Sequence, residues 1–121
     1  MPLPTDPKDR KKTPLWSGLV KYFPDALIAV SQVSYAGNEQ HNPGEPLHWA
    51  RGKSMDQEDT LLRHLWESGT VDIDGHRHSA KVAWRALAML QLEIERTSVP
   101  DATGTSEDLS QMLLPFDGKS L

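Results

Sequence analysis

Between Asp56 and Arg96 two apolar stripes recur at helical spacing, and no other feature of the chain restricts its fold as strongly. The first run carries Leu61, Leu62, Leu65 and Trp66; the second carries Ala80, Ala83, Trp84, Leu87, Leu90 and Ile94. Three- and four-residue spacing lines such side chains along one side of a helix, so both runs predict amphipathic helices that need a partner surface. The link between them, Gly69-Thr70-Val71-Asp72-Ile73-Asp74-Gly75-His76-Arg77-His78, holds acids and imidazoles in one short segment. A site built from those groups must form where the first helix ends and the second begins.

The fold class that follows is all-α: three main helices, a long loop after the first, and a core completed by oligomerisation. An apolar fraction of 37% is low for a chain of 121 residues, and a helical domain short of buried faces gains one by pairing with a copy of itself. The absence of cysteine excludes a disulfide framework and thiolate metal ligation. No apolar run is long enough to span a bilayer and no signal-peptide pattern opens the chain, so a cytoplasmic location is expected. A net charge of −4 argues against binding a nucleic-acid duplex, which requires a basic face, although Lys8, Arg10, Lys11 and Lys12 cluster locally.

Residues 1–14 mix prolines with that basic cluster and are expected to form an extended arm, followed by a helical domain over 15–97 and a linker and tail over 98–121. Pro24 suits the first position of a helix, Asp25 suits its positive end, and Gly37 is the expected stop. Ala26, Leu27, Val30 and Val33 supply its apolar face. Asn38 to Lys53 lacks a period and contains Asn42-Pro43-Gly44-Glu45-Pro46, a turn signal within a loop that also holds His41, His48, Trp49 and Arg51. Ser54-Met55-Asp56-Gln57 fits a capping box for the second helix, which should end near Ser68-Gly69. Asp74 or Gly75 is expected to cap the third, which runs to about Ile94 before Pro100 forbids further helix. In the tail, Leu109, Met112 and Leu113 suggest a short amphipathic turn.

Asp72, Asp74, His76 and His78 alternate, which in an extended link projects them to one side. Paired carboxylates suit magnesium or manganese; equally, Asp before a helix suits capping and His is commonly just exposed. Arg63 lies four residues before Glu67 and could pair with it at the surface, while His64 shares a helical face with Glu67. Trp49, Trp66 and Trp84 fit a core, yet Trp49 stands in a loop, where an aromatic ring can stack on a base. No phosphate-binding glycine loop, dinucleotide fingerprint, HExxH or G-x-S-x-G is present.

Phe23-Pro24-x-Ala26-Leu27 with Val30 and Val33, Tyr35-Ala36-Gly37, His48-Trp49, Arg63-His64-Leu65, and Asp72-x-Asp74-Gly75 with His78 occur in an order that resembles a family of phage-encoded dATP/dGTP diphosphohydrolase-like domains, relatives of the MazG-like all-helical nucleotide pyrophosphohydrolases. The likeness covers Lys12 to Leu92. It implies an oligomeric, magnesium- or manganese-dependent protein that recognises purine nucleotides and converts a (deoxy)nucleoside triphosphate to the monophosphate and pyrophosphate. By position, His64, Glu67 and Asp72 would be catalytic, Asp72, Asp74 and His78 would hold metal, and His48, Trp49, Arg51, Arg63, His64, His78 and Lys81 would bind the ligand. The chain departs from the family pattern at Thr70, where an acid is expected, and at Lys81, where a second histidine is expected. Losing an acid and an imidazole while gaining a cation lowers metal affinity and keeps attraction for phosphate. The alternative implied is a non-hydrolysing sponge that sequesters a nucleotide or a nucleotide-derived immune signal.

Overall fold

The computed structural model describes residues 1–52 and 56–98, and over these the chain is helical, with no named β-strand. Four α-helices are present among the described residues: α1 (Pro7–Lys11), α2 (Pro24–His41), α3 (Gln57–Trp66) and α4 (His78–Ser98). The capping serine Ser54 and the amphipathic tail expected beyond residue 98 lie outside the described residues.

The N-terminal arm is not simply extended. Asp6 accepts a hydrogen bond from the Lys8 N–H at 2.8 Å, and Pro7 takes the first helical position, where its missing N–H costs nothing; together they close the short α1. Arg10 Nε donates to the Pro4 carbonyl at 2.9 Å and ties the turn back on its own leader. A π-helical turn follows over Trp16–Val20, where Lys21 N–H reaches the Trp16 carbonyl at 2.8 Å. The turn needs glycine at 18, because a Cβ there would stand 2.8 Å from Pro14 Cγ.

Pro24 opens α2 as its fixed φ dictates, but the helix runs four residues past the glycine expected to end it. Gly37 is simply helical, and the stop comes at Asn42, ahead of Pro43 and of Gly44 at φ +78°. A residue before proline is pushed out of the helical region, and that local rule outweighs a glycine's mild cost inside a helix. The side chain of Asn38 then fixes the loop that follows. It is buried, accepts from His48 N–H at 3.2 Å and from Asn42 Nδ2 at 3.1 Å, and donates through Nδ2 to the Glu45 carbonyl at 3.2 Å. The backbone N–H of His48 fixes which end of the Asn38 amide is oxygen.

After α3, Gly69 at φ +92° carries the chain into the link, where Val71 and Arg77 form an isolated antiparallel bridge. Inside it Gly75 N–H reaches the Asp72 carbonyl at 2.9 Å, and Asp72 N–H reaches the His76 carbonyl at 2.8 Å. The φ of +87° at Gly75 is a conformation that a side chain would strain. Asp74 therefore caps this turn, accepting from His76 N–H at 3.1 Å, and α4 begins only at His78 rather than beside Asp74 or Gly75.

Two compact units divide the chain, Pro2–Ala86 and the stretch from Leu87 onward. Within the second, Gln91 Nε2 donates to Glu95 Oε2 at 2.7 Å one turn along α4. Ala80 and Ala88 are the buried apolar residues among the described ones, and no large side chain there is fully buried. Among the described residues most of the α3 stripe is uncovered: Leu61 is half-buried, but Leu62, Leu65 and Trp66 are exposed, the indole at 87%. No described helix is long and apolar enough to cross a membrane.

Candidate functional site

The link turn aims two carboxylates at one lysine. Asp72 Oδ2 and Asp74 Oδ2 each lie 2.7 Å from Lys81 Nζ, which reaches them from the first turn of α4. The ammonium and the Ile73 N–H hold the Asp72 carboxyl down at about 2. Lys81 also lowers Asp74, chiefly through its hydrogen bond. Burial pulls Lys81 downward, but the bonds to both acids outweigh it, so the net displacement is upward and the ammonium stays charged.

Beside this cluster two imidazoles meet. His64 from α3 and His78 from α4 place their Nδ1 atoms 2.9 Å apart, and His78 Nε2 stands 3.0 Å from Glu67 Oε2. A carboxylate is an acceptor, so His78 Nε2 carries a proton, and across the 2.9 Å contact one Nδ1 donates to the other, the direction following the tautomers of the pair. Where His64 Nδ1 is the donor, His64 Nε2 keeps a lone pair that can accept a proton. Burial first, then the charges of Lys81 and His78, hold His64 below its ordinary value of 6.5, so the imidazole is neutral near pH 7. The surface pair expected between Arg63 and Glu67 is absent, because Glu67 turns to His78 instead.

These groups border a cleft of about 550 Å³, in the size range of small-ligand sites, and every residue lining it belongs to the unit Pro2–Ala86. Of the residues singled out in the sequence, His48, Trp49, Arg63, His64, Asp74 and Lys81 line the cleft. Glu67, Asp72 and His78 stand behind this lining and reach it through His64 and Lys81. Arg51 lies with its guanidinium 4.1 Å from the Trp49 ring centre, a stacked cation that positions the indole. His76, on the link, lines the wall too.

Among the lining residues not singled out as site groups by sequence are Trp84, Arg85, Asn38 and Gln57. Trp84 packs edge-on to Trp49, ring centres 5.7 Å apart, and the two make an aromatic corner. Arg85 donates to the buried Gln57 Oε1 at 3.0 Å; burial lowers its pKa, and it remains a guanidinium. Asn38 forms the back of the cleft while anchoring the loop that carries Trp49. Arg85 lies four residues after Lys81, a helical spacing that could have placed both cations on one face. Gln57 and Arg85 stand 28 residues apart, and no local pattern links them.

The cleft thus combines aromatic faces, three cations (Arg63, Lys81 and Arg85), a neutral imidazole and Asp74, one of the two carboxylates that hold Lys81. Aromatic faces suit a heterocyclic base, and converging cations suit phosphate. Among the described residues, His64, Asp72 and His78 also bring ligand atoms within 4.8 Å of one another, a set that shares Asp72 with the carboxylate pair. A family model described as dATP/dGTP diphosphohydrolase, N-terminal, matches residues 4–102. No curated protein and no solved structure matches the chain.

Proposed function

The chain belongs to the dATP/dGTP diphosphohydrolase N-terminal family, and from that premise we propose that it binds a purine (deoxy)nucleoside triphosphate in this cleft and hydrolyses it to the monophosphate and pyrophosphate. The observation that carries the reading is the cation-and-carboxylate cluster of Lys81, Asp72 and Asp74 at the edge of an aromatic-lined cleft. The purine stacks against Trp49 and Trp84. Arg63, Lys81 and Arg85 take the phosphate oxygens. Water adds to phosphorus, the P–O bond to the pyrophosphate leaving group breaks, and His64 Nε2 accepts the proton that the water gives up. In this reading His78, oriented by Glu67, accepts from His64 Nδ1–H, the tautomer that can do so.

A divalent cation fits the carboxylate pair, because a cationic group already lies between Asp72 and Asp74 at hydrogen-bond distance from both, and oxygen donors suit magnesium or manganese. Held there by these two acids with His78 nearby, such an ion supplies charge neutralisation at phosphate and a more acidic water. The same lysine favours a second reading, in which the chain holds a nucleotide or nucleotide-derived signal without cutting it, as a phage sponge in the cytoplasm of an infected host would.

Incubating the protein with purine deoxynucleoside triphosphates and magnesium, with product mass measured, separates the two. Monophosphate and pyrophosphate are expected, with kcat/KM falling on the acid side about a midpoint below the ordinary imidazole value of 6.5, since only neutral His64 accepts a proton. Ligand recovered intact from every incubation, together with intact ligand released by heat from the purified protein, would establish sequestration instead.

The α3 stripe supports self-association, because Leu62, Leu65 and Trp66 are exposed among the described residues and Ile73 is fully exposed on the link. Light scattering is expected to report a multiple of 13.5 kDa, and Trp66→Glu to shift the mass toward one chain. A monomer at every concentration would rule this out.

A further inference from the structure

We infer that Lys81 is a built-in competitor for the divalent cation, its ammonium holding the place between Asp72 and Asp74 until nucleotide phosphates draw it away. The inference rests on the reading that these two acids are the cation's ligands, and it concerns what stands in their way. Lys81 Nζ lies 2.7 Å from Oδ2 of each, and backbone N–H groups of Ile73 and His76 take the Oδ1 atoms, so one positive charge already holds the oxygens that face each other. The lysine side chain is only 17% exposed, against 45% for Asp74, so the ammonium is seated in the site rather than resting at its rim.

Two cations at contact distance on these oxygens repel one another, and that repulsion adds to the loss of ammonium hydrogen bonds as the ion enters. A metal ion entering alone therefore displaces an ammonium that loses both of its carboxylate acceptors. Entry alongside phosphate removes that obstacle: the phosphate oxygens accept from Lys81 Nζ, and both carboxylates turn to the ion. Arg63 and Arg85 line the same cleft and bring the phosphates within the lysine's reach. The structure thereby assigns an order, in which phosphate engages Lys81 before or together with the cation. It also distinguishes Lys81 from Arg63, since a phosphate-binding group that touches no carboxylate acts on metal affinity only through weaker, longer-range repulsion when nucleotide is absent.

The test is manganese binding to the full chain, free of nucleotide and metal, followed by the paramagnetic signal of free Mn²⁺. Wild type is expected to bind weakly, and Lys81→Met at least tenfold more tightly, because the methionine fills similar space without a charge. Lys81→Gln removes the same charge and keeps a polar tip, and it decides the matter if Lys81→Met does not fold by circular dichroism. Affinities of both variants equal to or weaker than wild type overturn the inference. Adding Asp72→Asn to the charge-removing variant is expected to abolish the gain; a gain that survives it would show that the ion sits elsewhere, and would overturn the carboxylate reading too. Because no nucleotide is present, failure of the wild type to hydrolyse any triphosphate leaves this result unaffected.

Discussion

Replacing Asp72 with alanine is expected to lower magnesium-dependent turnover of a purine deoxynucleoside triphosphate by at least about a hundredfold, in line with the loss of one preorganised electrostatic group. The carboxylate is fully ionised, held at about 2 by Lys81 and the Ile73 N–H, so at neutral pH its removal deletes a whole charge. Binding should respond in the opposite sense. With chelator present, nucleotide affinity is expected to hold or rise, because Lys81 loses one of the two carboxylates that compete with phosphate for it. Turnover measured with magnesium and affinity measured in chelator therefore separate a catalytic loss from a folding defect, in which both fall together. An Asp72→Ala variant that turns over at the wild-type rate would end the assignment of this acid to catalysis. If the wild type has no turnover, the affinity measurement alone still reports whether Asp72 restrains Lys81.

Asn38→Ala should produce the largest loss of stability of any single substitution in the loop scaffold, about 2–3 kcal/mol. Its side chain is buried and completes three hydrogen bonds, with His48 N–H, with Asn42 Nδ2 and with the Glu45 carbonyl. Truncation removes the acceptor for a backbone N–H and for the amide of a second buried asparagine, and a buried polar group without its partner costs more than the bond itself gained. The neighbouring Glu39 is exposed, and Glu39→Ala should change stability by less than about 0.5 kcal/mol. Urea unfolding at constant m-value compares the two, and equal midpoints would show that the amide does not hold the loop. A functional consequence follows, since Trp49 stands on that loop, one residue after His48. Nucleotide affinity is expected to weaken in Asn38→Ala although the amide itself need make no contact with the ligand.

The start of α2, the existence of α3 and α4, and the family itself were legible along the chain. Proline at a first helical position, apolar residues every three or four positions and a fixed order of short motifs are all properties of neighbouring residues. The basic arm was less legible, because a five-residue helix depends on one aspartate cap rather than on any period. The end of α2 misled for a related reason: a helix tolerates Gly37 when its next turn is held by the Asn38 and Asn42 side chains, and those bonds close on residues of a loop.

By itself the sequence determined α2, α3 and α4, their order, and the presence of acids and imidazoles in the link between α3 and α4. Tertiary structure alone decided what those groups do to one another. His64 meets His78 across 14 positions and Gln57 meets Arg85 across 28, pairings that depend on how α3 and α4 are set by the turn at Gly75. That turn also sends Asp72 and Asp74 to Lys81, so that residues legible as metal ligands hold an ammonium instead. Periodicity is a property of local backbone geometry. Whether a carboxylate faces a metal ion, a phosphate-binding lysine or water depends on a few ångströms of placement between elements, and no local pattern encodes that distance.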